Sequence, residues 1–154
     1  MIERADNLAP NNCMQLRAMQ PLMHTTRQTM DMNALVATLK AHPNIGRAGM
    51  ILCHNGVVRE TARDGRRVGG LRVAVDRLRL EAIIAEHKAR PGIVDIRVEI
   101  AADRDLAVGD DVMLLAVAGD IRENVLAVLT DTLNAIKTSV THKTEYFVAP
   151  EAGA

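Results

Sequence analysis

Three cationic side chains occupy distinctive positions around one predicted helix near the end of the chain. Arg122 falls in the first turn of this helix, where the helix dipole disfavours positive charge. Lys137 falls at its end, and Lys143 follows a predicted loop at residues 138–142. Side chains of this type could bind an anion such as a phosphate group. Isolated surface cations are common, however, and this pattern alone favours a solvated surface.

A predicted strand leads directly into that helix. The apolar run at residues 112–117 is rich in β-branched residues and is typical of a buried strand. Asp120 and Glu123 form an acidic variant of the capping box, which predicts a helix start at Asp120. Apolar residues at spacings of three and four predict one buried helix face reaching about Lys137: Ile121, Val125, Val128, Leu129, Leu133 and Ile136.

The rest of the patterned chain alternates irregularly between helices and strands. Helices are predicted from Asn33, as the N-cap, to near His42, and from Asp76 to the break at Pro91-Gly92. Strands are predicted at residues 46–54, 57–61, 71–75, 93–100 and 144–148, with turns or loops at 63–70 and 103–110. In the predicted strand at 93–100, the alternation of apolar and polar residues changes phase near Asp95. This order favours an α+β domain of two layers over a doubly wound parallel sheet.

Composition argues against several classes of function. Nineteen basic and nineteen acidic side chains give zero net charge, so no whole-protein field would attract nucleic acid or an anionic membrane. One Tyr, one Phe and no Trp argue against base stacking. Cys13 and Cys53 form no metal-binding pattern or disulfide framework, which predicts a reduced, cytoplasmic setting. No apolar run predicts a signal sequence or a membrane span.

The ends of the chain differ in pattern from its middle. Residues 1–31 have no sustained periodicity, and we expect a flexible N-terminal extension. Met30 and Met32 directly precede the patterned chain, so over-extension of the reading frame is an alternative explanation. The patterned domain spans residues 32–149, and the small residues at 150–154 predict a disordered tail.

The order of the motifs resembles the MoaE family, the large, catalytic subunit of molybdopterin synthase. The resemblance lies in a G-x-V-R sequence, a turn before a strand, an Arg that starts a long helix, and two later lysines. In this chain the motifs are residues 56–59, residues 108–110, Arg122, Lys137 with Thr138, and Lys143. It covers roughly residues 33–147, and its specificity comes from the order and spacing of the motifs.

The resemblance implies an α/β hammerhead fold that pairs into a dimer. It also implies sulfur transfer to a cyclic pyranopterin monophosphate, which gives the dithiolene of molybdopterin during molybdenum cofactor biosynthesis. The sulfur arrives as the Gly-Gly thiocarboxylate at the C-terminus of a small, ubiquitin-like partner subunit. No cofactor and no metal take part in the large subunit's own step.

The resemblance also implies roles for individual residues. Lys137 would be the central catalytic lysine and Lys143 would assist it, because a lysine held among cations can act as acid, base or nucleophile. Arg59 and Arg122 would bind the phosphate. The substrate-binding positions are Val57, Val58, Arg59, Ile121, Arg122 and Thr144. As auxiliary groups, His54 and His142 could replace a histidine that the family carries before the helix-start Arg, although a histidine near a strand end more often makes a structural hydrogen bond.

The spacing on the predicted long helix leads to an expectation about assembly. Arg122 and Lys137 lie fifteen residues apart, which is about 22 Å along a helix axis. A small substrate cannot span this distance along one straight helix. If both residues serve one site, Arg122 comes from the other subunit. We therefore expect a composite active site in an obligatory homodimer.

Departures from the family pattern keep other functions open. Ile121 stands where the family has a histidine, and His54 stands where an aromatic residue is common. The loop before Lys143 is one residue shorter than usual and lacks its proline and aromatic residues. One alternative is a non-catalytic MoaE-like dimer that binds a pterin, another anion or the small subunit. An unrelated anion-binding α+β protein is the other, if the ordered matches arise by chance.

Overall fold

The computed structural model describes residues 29–149 of the chain. Within this range, the helices are α1 (Met32–Lys40), α2 (Arg77–Lys88) and α3 (Arg122–Ser139), and a short 3-10 helix lies at Ile45–Arg47. The strands are β1 (Met50–Val57), β2 (Val68–Val75), β3 (Ile93–Ile100), β4 (Asp105–Ala107), β5 (Asp111–Gly119) and β6 (Thr141–Phe147).

The described strands form two antiparallel sheets of three strands each. Sheet 1 has the order β1-β5-β3, and sheet 2 has the order β4-β2-β6. β5 is the central strand of sheet 1, and it is buried from Met113 to Gly119 because helices cover both of its faces. The apolar run at residues 112–117 predicted this strand, and the structure extends it at both ends.

Alternate residues of β5 pack against different helices. The cluster on one face joins β5 to α1 and contains Leu35, Leu39, Leu114, Ala116 and Ala118. The cluster on the other face joins β5 to β3 and α3 and contains Ile96, Leu115, Val117, Val125 and Val128. The α+β class predicted from the sequence is confirmed, and α1 adds a layer on the far side of sheet 1.

Sheet 2 has one buried face and one open face. Leu71 and Val73 of β2 pack in a cluster with Val58 and Leu106. Arg72, between Leu71 and Val73, is exposed. Alternation at residues 71–75 predicted this half-buried strand, which is confirmed as part of β2.

Two predicted helix caps are wrong. Asp31, rather than Asn33, caps α1, because its carboxylate accepts a hydrogen bond from the Asn33 N–H at 2.8 Å. Ile121 is the N-cap of α3 and makes no side-chain capping hydrogen bond. Asp120 lies just outside the helix, where hydrogen bonds from the Asn124 amide and the Ile121 N–H hold the pKa of its carboxyl below the usual value.

The predicted loop at residues 138–142 is also wrong. α3 continues to Ser139 and β6 starts at Thr141, so Val140 alone connects them. Val140 is buried, and its carbonyl accepts a hydrogen bond from the Asp76 N–H at 2.9 Å. Lys143 therefore lies within a strand rather than after a loop.

Several strand boundaries also differ from the predicted ones, because strand pairing extends or shortens the local patterns. The 3-10 helix delays the start of β1, which the sequence placed at residue 46. β2 starts inside the predicted loop at 63–70, and β4 forms inside the predicted turn at 103–110. The predicted strand at 57–61 contributes only Val57 to β1, followed by an isolated bridge between Thr61 and Arg67.

A β-bulge explains the phase slip near Asp95. The register of β3 against β5 shifts between Ile93 and Asp95, and the Asp95 side chain is fully buried. Its carboxylate lies 2.5 Å from Lys88 Nζ and 2.7 Å from Arg97 Nε. Burial raises the pKa of this carboxyl, but the hydrogen bonds from Lys88 and Arg97 outweigh burial, so the pKa is below its usual value.

We predict that Asp95→Asn lowers the free energy of unfolding by about 2 kcal/mol at neutral pH, because charge-assisted hydrogen bonds to a buried carboxylate are lost. Urea unfolding followed by circular dichroism measures the change. This stabilisation is present above the unfolded pKa of 3.8 and is lost as pH falls through the lower folded pKa. Asp131→Asn breaks the exposed pair with Arg90 and should cost less than about 0.5 kcal/mol. Equal losses in the two variants would contradict this account of Asp95.

The predicted extension and tail lie mostly or entirely outside the described residues. Of the predicted extension, residues 29–31 are described. Met30 packs against the cluster that joins β5 to α1 and against the cluster on the buried face of sheet 2. Asp31 caps α1. The predicted tail at 150–154 lies outside the described range. Among the described helices, none is long and apolar enough to cross a membrane.

Candidate functional site

β1 and α3 bring His54 and Lys137 to the same side of sheet 1. His54 pairs in register with Leu115 of β5, and Gly56 pairs with Met113. Leu115 and Met113 both pack in clusters that contain residues of α3. Because paired residues in an antiparallel sheet share a face, His54 also lies on the α3 face. Lys137 is in the last turn of that helix.

The surroundings of His54 favour its neutral imidazole. Burial lowers the pKa of this ring below its ordinary value of 6.5, and the positive charge of Lys137 lowers it further. Nε2 is shielded from solvent and has no hydrogen-bond partner within residues 29–149. A Cβ at Gly56 would lie 3.3 Å from Nε2, so this glycine leaves room for the ring. A neutral imidazole can accept a hydrogen bond at one nitrogen.

Lys137 is a cation on the surface of a well-anchored helix. Its side chain is exposed, while Ile136 next to it is fully buried. Among the described residues, the Lys137 amine takes part in no hydrogen bond or ion pair, although its charge acts on His54. It lies in the last turn of α3, at the negative end of the helix dipole. This amine is therefore available to an anionic ligand.

β6 divides the predicted site residues between the two faces of sheet 2. Lys143 pairs with Val73, which lies on the buried face, whereas Thr144 pairs with the exposed Arg72. His142 shares the face of Thr144, because alternate residues of a strand point to the same side. The structure therefore separates His142 and Thr144 from Lys143.

Lys143 has an acidic partner on its own strand. Its Nζ lies 2.5 Å from Glu145 Oε1. The charge of Glu145 also acts on Arg66, which pairs with Asp64 at 2.7 Å and lies 3.6 Å from the centroid of the Phe147 ring. This edge of sheet 2 thus carries cations that are already balanced by carboxylates. The sequence does not reveal this group, because only the Asp-Gly turn signal before Arg66 is local and the other contacts depend on the fold.

The segment at residues 57–59, where β1 ends, contributes one cation to the surface. Val58 is 2% exposed, and its N–H and C=O bond to the backbones of Asp110 and Gly109. Neither the side chain nor the backbone of Val58 is open to a ligand, so this position supports the fold. Val57 is half exposed, and Arg59 is exposed. Arg59 is the member of this segment that can contact an anion.

Ile121 and Arg122 lie at the opposite end of α3 from Lys137. The Arg122 side chain is 74% exposed, and its Nη2 lies 3.3 Å from Glu123 Oε1. Ile121 is 54% exposed, so the prediction that it belongs to the buried helix face is wrong. The two ends of α3 are about 22 Å apart along the helix axis. One chain therefore does not bring Arg122 to Lys137.

The described cavities do not contain the predicted site. A cavity of about 150 Å³ is lined by Thr29, Met30, Arg104, Asp110 and Asp111. A second cavity, of about 120 Å³, is lined by Arg90, Pro91, Asn124, Ala127 and Val128. Arg59, Lys137 and Lys143 instead lie on open surface. Residues 29–149 contain no group of three or more His, Cys, Asp or Glu side chains that could hold a metal ion.

Cys53 is not a thiol of the hydrophobic core. It lies on β1 and is exposed. Partial burial raises the pKa of its thiol, so the nucleophilic thiolate is disfavoured at neutral pH. Cys53 pairs with Ala116, on the face of sheet 1 that packs against α1. It therefore lies on the opposite face from His54.

The fold is an α+β domain whose surface carries the cations Arg59, Lys137 and Lys143. A family model described as MoaE protein matches residues 25–139. The chain belongs to the MoaE family, and the resemblance found in the sequence is confirmed. This membership indicates a role in molybdenum cofactor biosynthesis.

Solved structures of this family share the fold. The molybdopterin biosynthesis MoaE protein from Burkholderia ambifaria is 25% identical, with a TM-score of 0.62 over 78% of this chain and 83% of that one. Molybdopterin synthase from Staphylococcus aureus is 18% identical, with a TM-score of 0.66 over 80% and 89%. A complex of subunits 1 and 2 of molybdopterin-converting factor from Helicobacter pylori gives 16% identity and a TM-score of 0.59 over 80% and 86%. No curated protein matched the chain.

We predict that Lys137→Ala changes the free energy of unfolding by less than about 0.5 kcal/mol, because the side chain is exposed and unpaired among the described residues. The matched variant Ile136→Ala removes a fully buried neighbour and should cost about 3 kcal/mol. Denaturant unfolding of both variants checks the contrast. A large loss of stability in Lys137→Ala would show that this lysine supports the fold.

Proposed function

We propose that the chain is an active large subunit of molybdopterin synthase. It would transfer sulfur from the C-terminal Gly-Gly thiocarboxylate of a ubiquitin-like small subunit to cyclic pyranopterin monophosphate. The observation that carries this proposal is the exposed Lys137 amine, which is unpaired among residues 29–149, in a chain of the MoaE family. The cytoplasmic setting stays a prediction from cysteine usage.

In each transfer, the thiocarboxylate sulfur would bond to a carbon of the pterin side chain as that carbon loses a C–O bond, whose oxygen leaves with the opened phosphate or as water. Water would then hydrolyse the C–S bond to the partner's glycine carbonyl, which leaves the sulfur on the pterin and releases the glycine as a carboxylate. Lys137 would hold the thiocarboxylate and transfer a proton as the cyclic phosphate opens. Arg59 and Arg122 would bind the phosphate by paired N–H donors. Lys137, Arg59 and Arg122 would act through their charge and through proton transfer, and neither requires a cofactor.

The active site would be composite. The length of α3 separates Arg122 from Lys137 by about 22 Å in one chain, and the candidate cations lie on open surface rather than in a described cavity. A homodimer with a two-fold axis can bring the start of one α3 to the end of the other. The small subunit would then insert its extended C-terminus between the two chains. The Helicobacter pylori match is itself a complex of two subunits.

The second candidate is a non-catalytic dimer that binds a pterin, another anion or the small subunit. Ile121 favours it, because an exposed aliphatic side chain at the start of α3 supplies no proton and no hydrogen bond. The ion pairs of Lys143 with Glu145 and of Arg122 with Glu123 also favour it, since both cations would exchange a partner to bind a ligand. Lys137 has no such competing carboxylate among the described residues.

We expect Lys137→Ala to lower product formation by at least about 100-fold, because a positioned proton-transfer group contributes on this scale. The test combines the purified chain, the thiocarboxylated small subunit and the cyclic pterin phosphate, with the dithiolene product followed by mass spectrometry. Lys40→Ala is the matched control, since Lys40 is an exposed lysine in the last turn of α1. It should retain full activity.

The outcomes separate the two candidate functions. Product that depends on Lys137 supports the synthase. A stable complex with the small subunit and no product would identify a non-catalytic member of the family. Full activity in Lys137→Ala would show that the catalytic lysine is assigned to the wrong residue.

The composite site is tested by mixing two inactive variants. Arg122→Ala and Lys137→Ala, unfolded and refolded together, should regain about a quarter of wild-type turnover, because half of the dimers are hybrids and each hybrid has one intact site. Turnover per chain, measured against each variant alone, gives the fraction. No regained activity, or an active monomer, would contradict the composite site.

A further inference from the structure

The shielded nitrogen of His54 is the polar group that the proposed reaction leaves unexplained. Nε2 is hidden from solvent and has no hydrogen-bond partner among residues 29–149. Buried polar atoms in native proteins are nearly always paired, so an unpaired one calls for a partner. The ring is held on the α3 face of β1 by pairing with Leu115, and Gly56 leaves the space beside Nε2 free of a side chain.

Lys137 is the group best placed to supply that partner. It lies in the turn of α3 that contains Ile136, and Ile136 packs against Met113, the partner of Gly56 in the sheet. The four rotatable bonds of a lysine side chain let its amine reach over neighbouring residues. An ammonium group has donors and no acceptor, and a neutral imidazole nitrogen has the complementary acceptor.

We propose that His54 is a positioning residue for Lys137, whose ammonium donates a hydrogen bond to His54 Nε2 when the site is engaged. This inference rests on the proposed synthase function for its consequence in turnover. The imidazole must be neutral, with its proton on Nδ1, for Nε2 to accept the bond. A protonated ring would have no acceptor and would repel the ammonium group. His54 therefore makes the position of Lys137 depend on pH.

The charges around His54 give this dependence a definite sign. From α3, Lys137 acts on the ring, and from β5 the facing residues are the apolar Leu115 and Met113. Asp111 of β5 bonds to Asn55, which points to the other face of β1. Burial and the Lys137 charge both lower the pKa of the imidazole below 6.5. The ring is therefore neutral at neutral pH and becomes protonated only as the pH falls through this lowered pKa.

The first test measures the contact without any turnover. Nuclear magnetic resonance titration of the His54 ring in the full chain gives its pKa directly. Lys137→Met, which removes the charge and keeps the length of the side chain, should raise this pKa toward its ordinary value. Lys40→Met, on α1, should leave it unchanged. An unchanged His54 titration in Lys137→Met would overturn the proposal, whether or not the chain is an enzyme.

The second test uses the pH profile of turnover in the reconstituted reaction. In the wild type, turnover should fall about tenfold per pH unit below the His54 pKa. His54→Gln places a neutral acceptor near the position of Nε2, so it should keep turnover at neutral pH and lose this acid limb. His54→Phe has no acceptor and should lower turnover at least about tenfold at neutral pH. His42→Gln is the matched control, because His42 follows α1 and lies outside the candidate site, and it should keep the limb.

Circular dichroism confirms that each variant is folded before turnover is compared. An acid limb that persists in folded His54→Gln would overturn the proposal. A wild type with no product at any pH would instead count against the synthase function, and the magnetic resonance titration would still decide the His54–Lys137 contact. The two failures are therefore distinguishable.

Discussion

β5 occupies the centre of sheet 1 with both of its faces buried, and the positions of the candidate residues depend on it. Leu115, Ala116, Val117 and Ala118 are fully buried. Replacing one such leucine with alanine typically costs 2–5 kcal/mol, or roughly a third of the stability of a small domain. β1 pairs along one edge of β5, and α3 packs on one face. These contacts place His54 and Lys137 on the same face of sheet 1.

The same packing keeps other candidate residues apart. α3 is anchored along its length by Val125, Val128 and Ile136, so its two ends cannot approach each other. The tight connection at Val140 directs the chain straight into β6, where strand alternation assigns Lys143 and Thr144 to opposite faces. A single chain therefore offers one end of a site, and symmetry between two chains is the simple way to complete it. The proposed composite site is therefore based on the rigidity of α3.

The sequence predicted the features that depend on local pattern. β5 and α3 were predicted because an apolar β-branched run and a helical apolar stripe are each visible in a short window. Asp76 was identified as the cap of α2 because capping is also local. The bulge at Asp95, the continuous turn from α3 into β6 and the burial of Val58 were not predicted, since each depends on which strand pairs with which. In the candidate site, the sequence predicts roles for Lys137 and His54, but their placement on one face of sheet 1 follows only from the register of β1 against β5.

We propose that this chain moves sulfur from a protein thiocarboxylate to a pterin. The most direct test is the stoichiometry of a single turnover, with the intact mass of the small subunit and the pterin product measured in the same sample. Our account predicts that two thiocarboxylates become carboxylates for each dithiolene formed, because each transfer uses one partner C-terminus. A thiocarboxylate that stays unchanged in a stable complex with the chain and the cyclic pterin phosphate would contradict it.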